Sequence, residues 1–275
     1  LLRFHRYSPA LLTQEARQAE SVEKLIAVRR DVPKLVKALI ETGARTRSIT
    51  RAITTISDAL ASRLIHFAVA QLGPPPARFA FLALGSEGRE EQNLASDQDN
   101  AIVFEDVDDP ARPAVQEYFL QLGTLVCDWL DRAGYASCEG KIMASNFRWC
   151  QPLRVWKEYF TQWIRTAEPQ SILEIMTFFD LRVVQGEREF AAALRRHIDE
   201  LLAQEPPFLL HCAQYALQYK IPLGFFGNIV VDSAKDRLPT FNIKEAMMPV
   251  VNFARLYALR HQVAETHTLD RLREL

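Results

Sequence analysis

Apolar residues recur at helical spacing through the first quarter of the chain, give way to short unbroken runs, and then return to helical spacing. In the first stretch the pattern predicts helices over residues 8–30 and 32–42, the latter stopped by Gly43. Ile49, Ile53, Leu60, Leu64 and Phe67 mark a longer amphipathic helix that ends near Gly73. Pro74-Pro75-Pro76 breaks the pattern. Residues 1–72 therefore read as a helical bundle region whose apolar stripe is core.

The middle stretch, residues 73–145, has a different rhythm. The run 79–84 (Phe-Ala-Phe-Leu-Ala-Leu) is a buried strand that stops at Gly85, and 99–104 is a second strand. A helix through Val115, Phe119, Leu122, Val126 and Trp129 follows, then a strand over 136–143 that carries Glu139. Residues 146–275 return to helical spacing. Ile172, Ile175, Phe179 and Val183 share one face, and Phe190, Leu194, Ile198 and Leu201 share another. Pro206-Pro207 interrupts, and a last helix opens at Pro249 and carries Val250, Ala254, Tyr257 and His261. The fold class is α+β: a small mixed-sheet domain flanked by N- and C-terminal helical regions.

Candidate chemistry sits at the two strands. Gly85-Ser86-Glu87-Gly88-Arg89-Glu90-Glu91-Gln92 follows the first, and Asp97-Gln98-Asp99-Asn100 leads into the second. A strand delivering Gly-Ser to a turn, with Ser86 as N-cap of a short helix, forms an anion site: Gly85 permits close backbone approach, Ser86 adds a hydroxyl, and Arg89 can add a guanidinium fork. Arg89 can equally lock Glu91 in a structural ion pair, while Gln92 and Asn100 tie the turn to the strand. Asp97 and Asp99 alternate onto one face, roughly 6.5 Å apart at Cα, so both carboxylates can converge on a divalent cation. Gly-Ser after a strand is usually only a turn, and Asp-x-Asp is common in solvated loops. The whole ordered set is far more specific than either part.

That set resembles the DNA polymerase beta-like nucleotidyltransferase superfamily. Leu84 to Gln92 and Ser96 to Ala101, with Cys138 to Asn146, Phe178 to Arg182 and Pro222 to Gly227, are similar to nucleotidyltransferases related to the uridylyltransferase of the PII nitrogen-signalling protein. The resemblance implies that Gly85 and Ser86 hold an NTP triphosphate, that Asp97 and Asp99 bind Mg²⁺, and that the part after the catalytic domain binds substrate. It implies an NMP transfer with pyrophosphate release, a protein side chain as acceptor with a small-molecule amine or alcohol left open, and upstream cyclic-nucleotide-binding or CBS domains in a longer chain. A start at Leu1 in place of methionine suits such a fragment. The superfamily generally uses a third carboxylate, for which Glu139 is the first candidate and Asp180 the second, unless Asp180 pairs with an arginine such as Arg182. Lys244 and Arg255 are the substrate-contact candidates, although Asn242 stands where an acidic residue is expected.

Bulk properties narrow the partners. Lys plus Arg is 33 and Asp plus Glu is 34, so the net charge of -1 argues against a polynucleotide. Cys127, Cys138, Cys150 and Cys212 have no zinc-ligand spacing and read as reduced thiols of a cytoplasmic protein. The six histidines form no ligand array, and no apolar run approaches a membrane span. Gly224 and Gly227 around Phe225-Phe226 suggest a base platform or a filled interior loop. Two competing readings remain: an NTP-binding sensor without turnover, and a helical scaffold that keeps only the fold.

Overall fold

The computed structural model describes residues 7–166, 175–217 and 241–274. The chain divides into two compact units. One comprises Leu1–Tyr159 and Thr177–Arg196, the other Phe160–Met176 and His197–Leu275.

The first unit opens with α1 (Pro9–Gln18), α2 (Val22–Glu41) and α3 (Thr46–Leu72). The single helix expected over 8–30 is broken, because the Ser21 side chain accepts from Lys24 N at 3.3 Å and starts a new helix there. The boundary expected near residue 31 is absent. α2 runs through Pro33, whose ring forfeits one backbone bond while Val28, Val32, Leu35 and Val36 keep a continuous buried stripe. α3 buries Ile53, Ile56, Leu60 and Leu64 on the face the sequence marks.

The sheet has four strands in the order β3-β2-β1-β4: β1 (Phe79–Ala83), β2 (Asn100–Phe104), β3 (Cys150–Pro152) and β4 (Arg182–Gly186). β1 pairs antiparallel with β2, Phe79 opposite Phe104 and Ala83 opposite Asn100, while β2 and β3 run parallel. The mixed sheet of the expected α+β class is therefore present. α4 (Gly85–Gly88) is a single turn after β1, and α5 (Arg112–Arg132) packs Phe119 against Phe79 and Phe104 with ring centroids 5.2 and 5.0 Å apart. Phe81, Ile102, Phe104, Phe119 and Leu60 share one buried core.

Two strands differ from expectation. Residues 136–143 form turns, with only an isolated bridge between Gln98 and Ser137. Lys141 takes a positive φ of 53° there, which is incompatible with a continuous strand. Conversely, Val183, expected on a helix, lies in β4, where β-branched Val183 and Val184 fit the open edge of β1. Phe179 lies in a 3₁₀ turn, Thr177–Asp180, just before it, and Ile172 lies outside the described residues. Trp156 of α6 (Leu153–Thr166) donates its indole N–H to Ile102 O at 3.1 Å, which fixes α6 to β2. α7 (Arg188–Gln204) follows β4, with Arg195 donating to Leu181 O at 2.8 Å.

In the second unit, α8 (Pro207–Ala216) and α9 (Ile243–Arg260) bury Phe208, Cys212, Val251, Ala254 and Ala258. α9 starts at Ile243, two turns before the expected Pro249, and accommodates that proline inside the helix. α10 (Thr268–Arg271) is capped by His267, whose Nδ1 accepts from Leu269 N. The glycine-flanked aromatic loop 221–228 lies outside the described residues. Among the described residues no helix is long and apolar enough to cross a membrane.

Candidate functional site

The geometry at the end of β1 follows from one glycine. Gly85 has φ +53°, and a Cβ there would lie 2.8 Å from Asp99 Oδ2 and 3.2 Å from Thr177 Cγ2. Only glycine lets the turn and the Asp99 carboxylate approach this closely. Leu84 N also donates to Asp99 O at 2.8 Å, so backbone and side chain of Asp99 are both fitted to the turn. The single turn begins at Gly85 with Leu84 as its uncapped N-cap position, so Ser86 lies inside it and is not its cap.

The Asp97–Asp99 stretch is held by its even-numbered neighbours. Gln98 is buried, and its Nε2 donates to Cys127 O at 3.1 Å and Tyr135 O at 2.9 Å. Asn100 accepts through Oδ1 from Ala144 N at 2.8 Å, and its N donates to Ile142 O at 3.1 Å. Gln98 and Asn100 are buried while Asp97 and Asp99 are only partly so, as an extended chain alternates. The same bonds stitch the 135–144 segment alongside.

That stitching brings a third group in. One carboxylate oxygen each from Asp97 and Asp99 and the Cys138 sulfur all lie within 4.8 Å of one another. Two donors on one small divalent ion stand at most about 4.2 to 4.4 Å apart, twice the usual bond length. The 4.8 Å bound is close to that limit, and carboxylate oxygen and thiol sulfur are both ligand atoms for divalent cations, so the residues present fit a metal. Burial first, then the Asp99 charge, pushes the Cys138 thiol up to about 11. Sequence reasoning treated Cys138 as an ordinary thiol. The available signal was its position, one residue before Glu139 in the segment already marked as a motif.

Glu139 itself lies in the exposed turn of the 136–143 segment, outside this group. Asp180 is fully buried, and its Oδ2 accepts from Arg89 Nη1 at 2.6 Å. Its partner is thus Arg89 and not Arg182. Arg89, also buried, donates from Nε to Glu91 Oε2 at 2.8 Å, the structural role open to it in the sequence. Gly88 lets this pairing form, since a Cβ there would sit 1.8 Å from Asp180 O. Gln92 is buried beside them, its Oε1 without a hydrogen-bond partner.

Arg182 instead forks onto Asp58, with Nη1 to Oδ2 at 2.7 Å and Nη2 to Oδ1 at 2.9 Å, and donates to Glu87 O at 3.2 Å. Burial raises Asp58 against the pull of Arg182. Glu87 is partly exposed as a residue, yet burial of its carboxyl, with Asp58 and Asp99 adding and Arg182 opposing, pushes it up to about 8. In the second unit Lys244 is exposed on α9, whereas Arg255 is buried and donates to Asn252 Oδ1 at 2.6 Å.

A mixed four-stranded sheet with a glycine turn packed on one of two carboxylates at the entry to the next strand defines the class: an α+β domain. Residues 30–170 match the family described as "Putative nucleotidyltransferase DUF294", and residues 206–275 match "Putative nucleotidyltransferase substrate binding domain". The chain belongs to this nucleotidyltransferase family, and its C-terminal part is the family's substrate-binding domain. No curated protein matches the chain.

Proposed function

We propose that this chain is a metal-dependent nucleotidyltransferase that moves an NMP from an NTP to an acceptor hydroxyl and releases pyrophosphate. The observation that carries this reading is the fit of the Gly85 turn onto Asp99, because it joins a phosphate-approach point to a cation ligand in one small structure. Asp97 and Asp99 hold the cation, Mg²⁺ in the polymerase beta-like superfamily that the motifs resemble. When bound, the ion offsets triphosphate charge and lowers the pKa of the attacking hydroxyl. The Gly85 backbone and the Ser86 hydroxyl receive the β- and γ-phosphates. Arg89 acts from behind, holding Glu91 and Asp180 so that the turn keeps its shape. The acceptor oxygen bonds to the α-phosphorus, the bond to the β-bridging oxygen breaks, and the acceptor proton passes to solvent.

The resemblance of the motifs to those of the PII uridylyltransferase supports a protein side chain as acceptor, a signalling role in the cytoplasm, and regulatory domains upstream. These rest on the motifs alone. Glu139 is exposed in the first unit and Lys244 is exposed on α9 of the second. A buried Arg255 fits better as support for α9 than as a substrate contact.

One observation favours a second reading, an NTP sensor without turnover. Neither carboxylate nominated to complete the site belongs to the group at Asp97 and Asp99: Glu139 is on an exposed turn and Asp180 is taken by Arg89. Incubating the chain with each α-phosphate-labelled NTP, a divalent cation and bacterial lysate decides between the two. Label transfer that requires Asp97 and Asp99 supports the enzyme. Aspartate-dependent NTP binding without transfer or pyrophosphate supports the sensor, and no binding overturns both.

A further inference from the structure

We propose that Cys138 is the third ligand of the cation held by Asp97 and Asp99, and that the site consequently takes a borderline transition-metal dication such as Co²⁺ or Zn²⁺ in preference to Mg²⁺. This rests on the reading of Asp97 and Asp99 as cation ligands.

Three independent pieces of chain converge here. The Gly85 turn is fitted to Asp99 Oδ2, Gln98 and Asn100 hold the aspartates on one side, and their hydrogen bonds to 135–144 bring the Cys138 segment to the same point. The result is a mixed O, O, S set within 4.8 Å, and among the described residues no other three potential ligand side chains group this way. The cysteine is buried, as a ligand sulfur in a preformed site should be, while the adjacent Glu139 is exposed.

The consequence is selectivity. Mg²⁺ is a hard ion that prefers oxygen and keeps its waters, whereas thiolate favours Co²⁺ and Zn²⁺, which also bind more tightly along the divalent series. A carboxylate at position 138 suits Mg²⁺, and a sulfur does not. On binding, the metal–sulfur bond forms as the thiol proton leaves to solvent.

The test is Co²⁺ titration of the purified, reduced chain, read by near-ultraviolet thiolate-to-cobalt charge-transfer absorption and by calorimetry. The wild-type chain is expected to show this absorption saturating at one equivalent. Cys138→Ser should abolish it and weaken Co²⁺ at least about ten-fold, the lower end of what loss of a supporting group costs a metal site. Cys138→Asp should also lack the absorption while gaining Mg²⁺ affinity by a similar factor, which separates loss of a ligand from loss of the fold. Co²⁺ binding that depends on Asp97 but brings no charge-transfer absorption overturns Cys138 as ligand and leaves the aspartate reading standing. Absorption that persists in Cys138→Ser assigns the sulfur elsewhere and also overturns it. No Co²⁺ or Mg²⁺ binding in any variant overturns the proposal together with the cation reading beneath it.

Discussion

Two groups of carboxylates in the first unit meet different kinds of partner. At Arg89, the carboxylates of Glu91 and Asp180 each receive a short guanidinium hydrogen bond inside the protein. At Asp97 and Asp99, two carboxylates and a thiol face one another across less than 5 Å, all of them groups that bind cations. The first arrangement meets both carboxylates with a guanidinium from within the chain and shapes a turn. The second gathers ligand-type groups alone, which is the arrangement the proposed cation would use. Glu91, Asp97 and Asp99, close in sequence, are thus told apart by what the fold brings to meet them.

The sharpest way to break this contrast is at Asp180. Asp180→Ala leaves Arg89 buried without its main partner, which should destabilise the first unit by about 3 to 5 kcal/mol in urea unfolding. An apolar pair, Arg89→Met with Asp180→Leu, should recover most of that loss, because the ion pair shapes the turn more than it stabilises the chain. If Asp180→Ala left stability intact and weakened NTP binding alone, Arg89 would belong with the substrate and the contrast would fail.

The opposite pattern is expected at the second group. Asp97→Asn or Asp99→Asn should reduce nucleotidyl transfer at least about 1,000-fold, roughly 4 kcal/mol of barrier, while the urea midpoint stays level or rises as mutual repulsion is relieved. Label transfer and unfolding measured on the same preparations check both halves.

How much of this was legible in the sequence depends on the range of the interaction. Helical faces such as Ile53, Leu60 and Leu64 and the strands at 79 and 100 follow from local periodicity, and the structure has them. The strand at Arg182–Gly186 was hidden because its apolar residues fit a helical face as well, and only the free edge of β1 decides between the two. Likewise, the segment 136–143 has strand-like composition, yet hydrogen bonds from Gln98 and Asn100, some forty residues away, shape it into turns. The site divides in the same manner. Gly85, Asp97 and Asp99 are local, so their proximity could be read from spacing. The Arg89–Asp180 pair and the arrival of Cys138 are long-range pairings that no local spacing encodes.

Gly85→Ala tests the junction where turn and aspartate meet. A side chain at φ +53° costs about 1 to 2 kcal/mol in backbone strain alone. The new methyl also presses on Asp99 Oδ2, 2.8 Å from the Cβ position. The expected outcome is a loss of about 2 kcal/mol in urea unfolding, accompanied by weaker cation binding in calorimetry. Gly43→Ala, at φ +74° with open space around its Cβ, is the control that carries backbone strain but leaves the cation site alone.

Glu87, whose carboxyl feels the charge of Asp99, gives the smallest and most discriminating effect. Its carboxyl stands at about 8 in the folded chain against 4.5 for the free side chain, raised first by burial and then by Asp58, with Arg182 opposing and Asp99 adding. Between these values the folded state holds a proton that the unfolded state has released, so unfolding becomes easier as pH rises through this window. The stabilisation is complete below pH 4.5 and gone above about 8. Glu87→Gln keeps the neutral shape at every pH. Its melting temperature should match the wild type near pH 4.5 and exceed it near pH 8, by an amount equivalent to about 1 to 2 kcal/mol once partial exposure is allowed for. Because Asp99 is among the charges that raise Glu87, Asp99→Asn should flatten part of the same slope, whereas Asp180→Ala, acting through the other group, should shift the whole curve downward without changing its shape in this window.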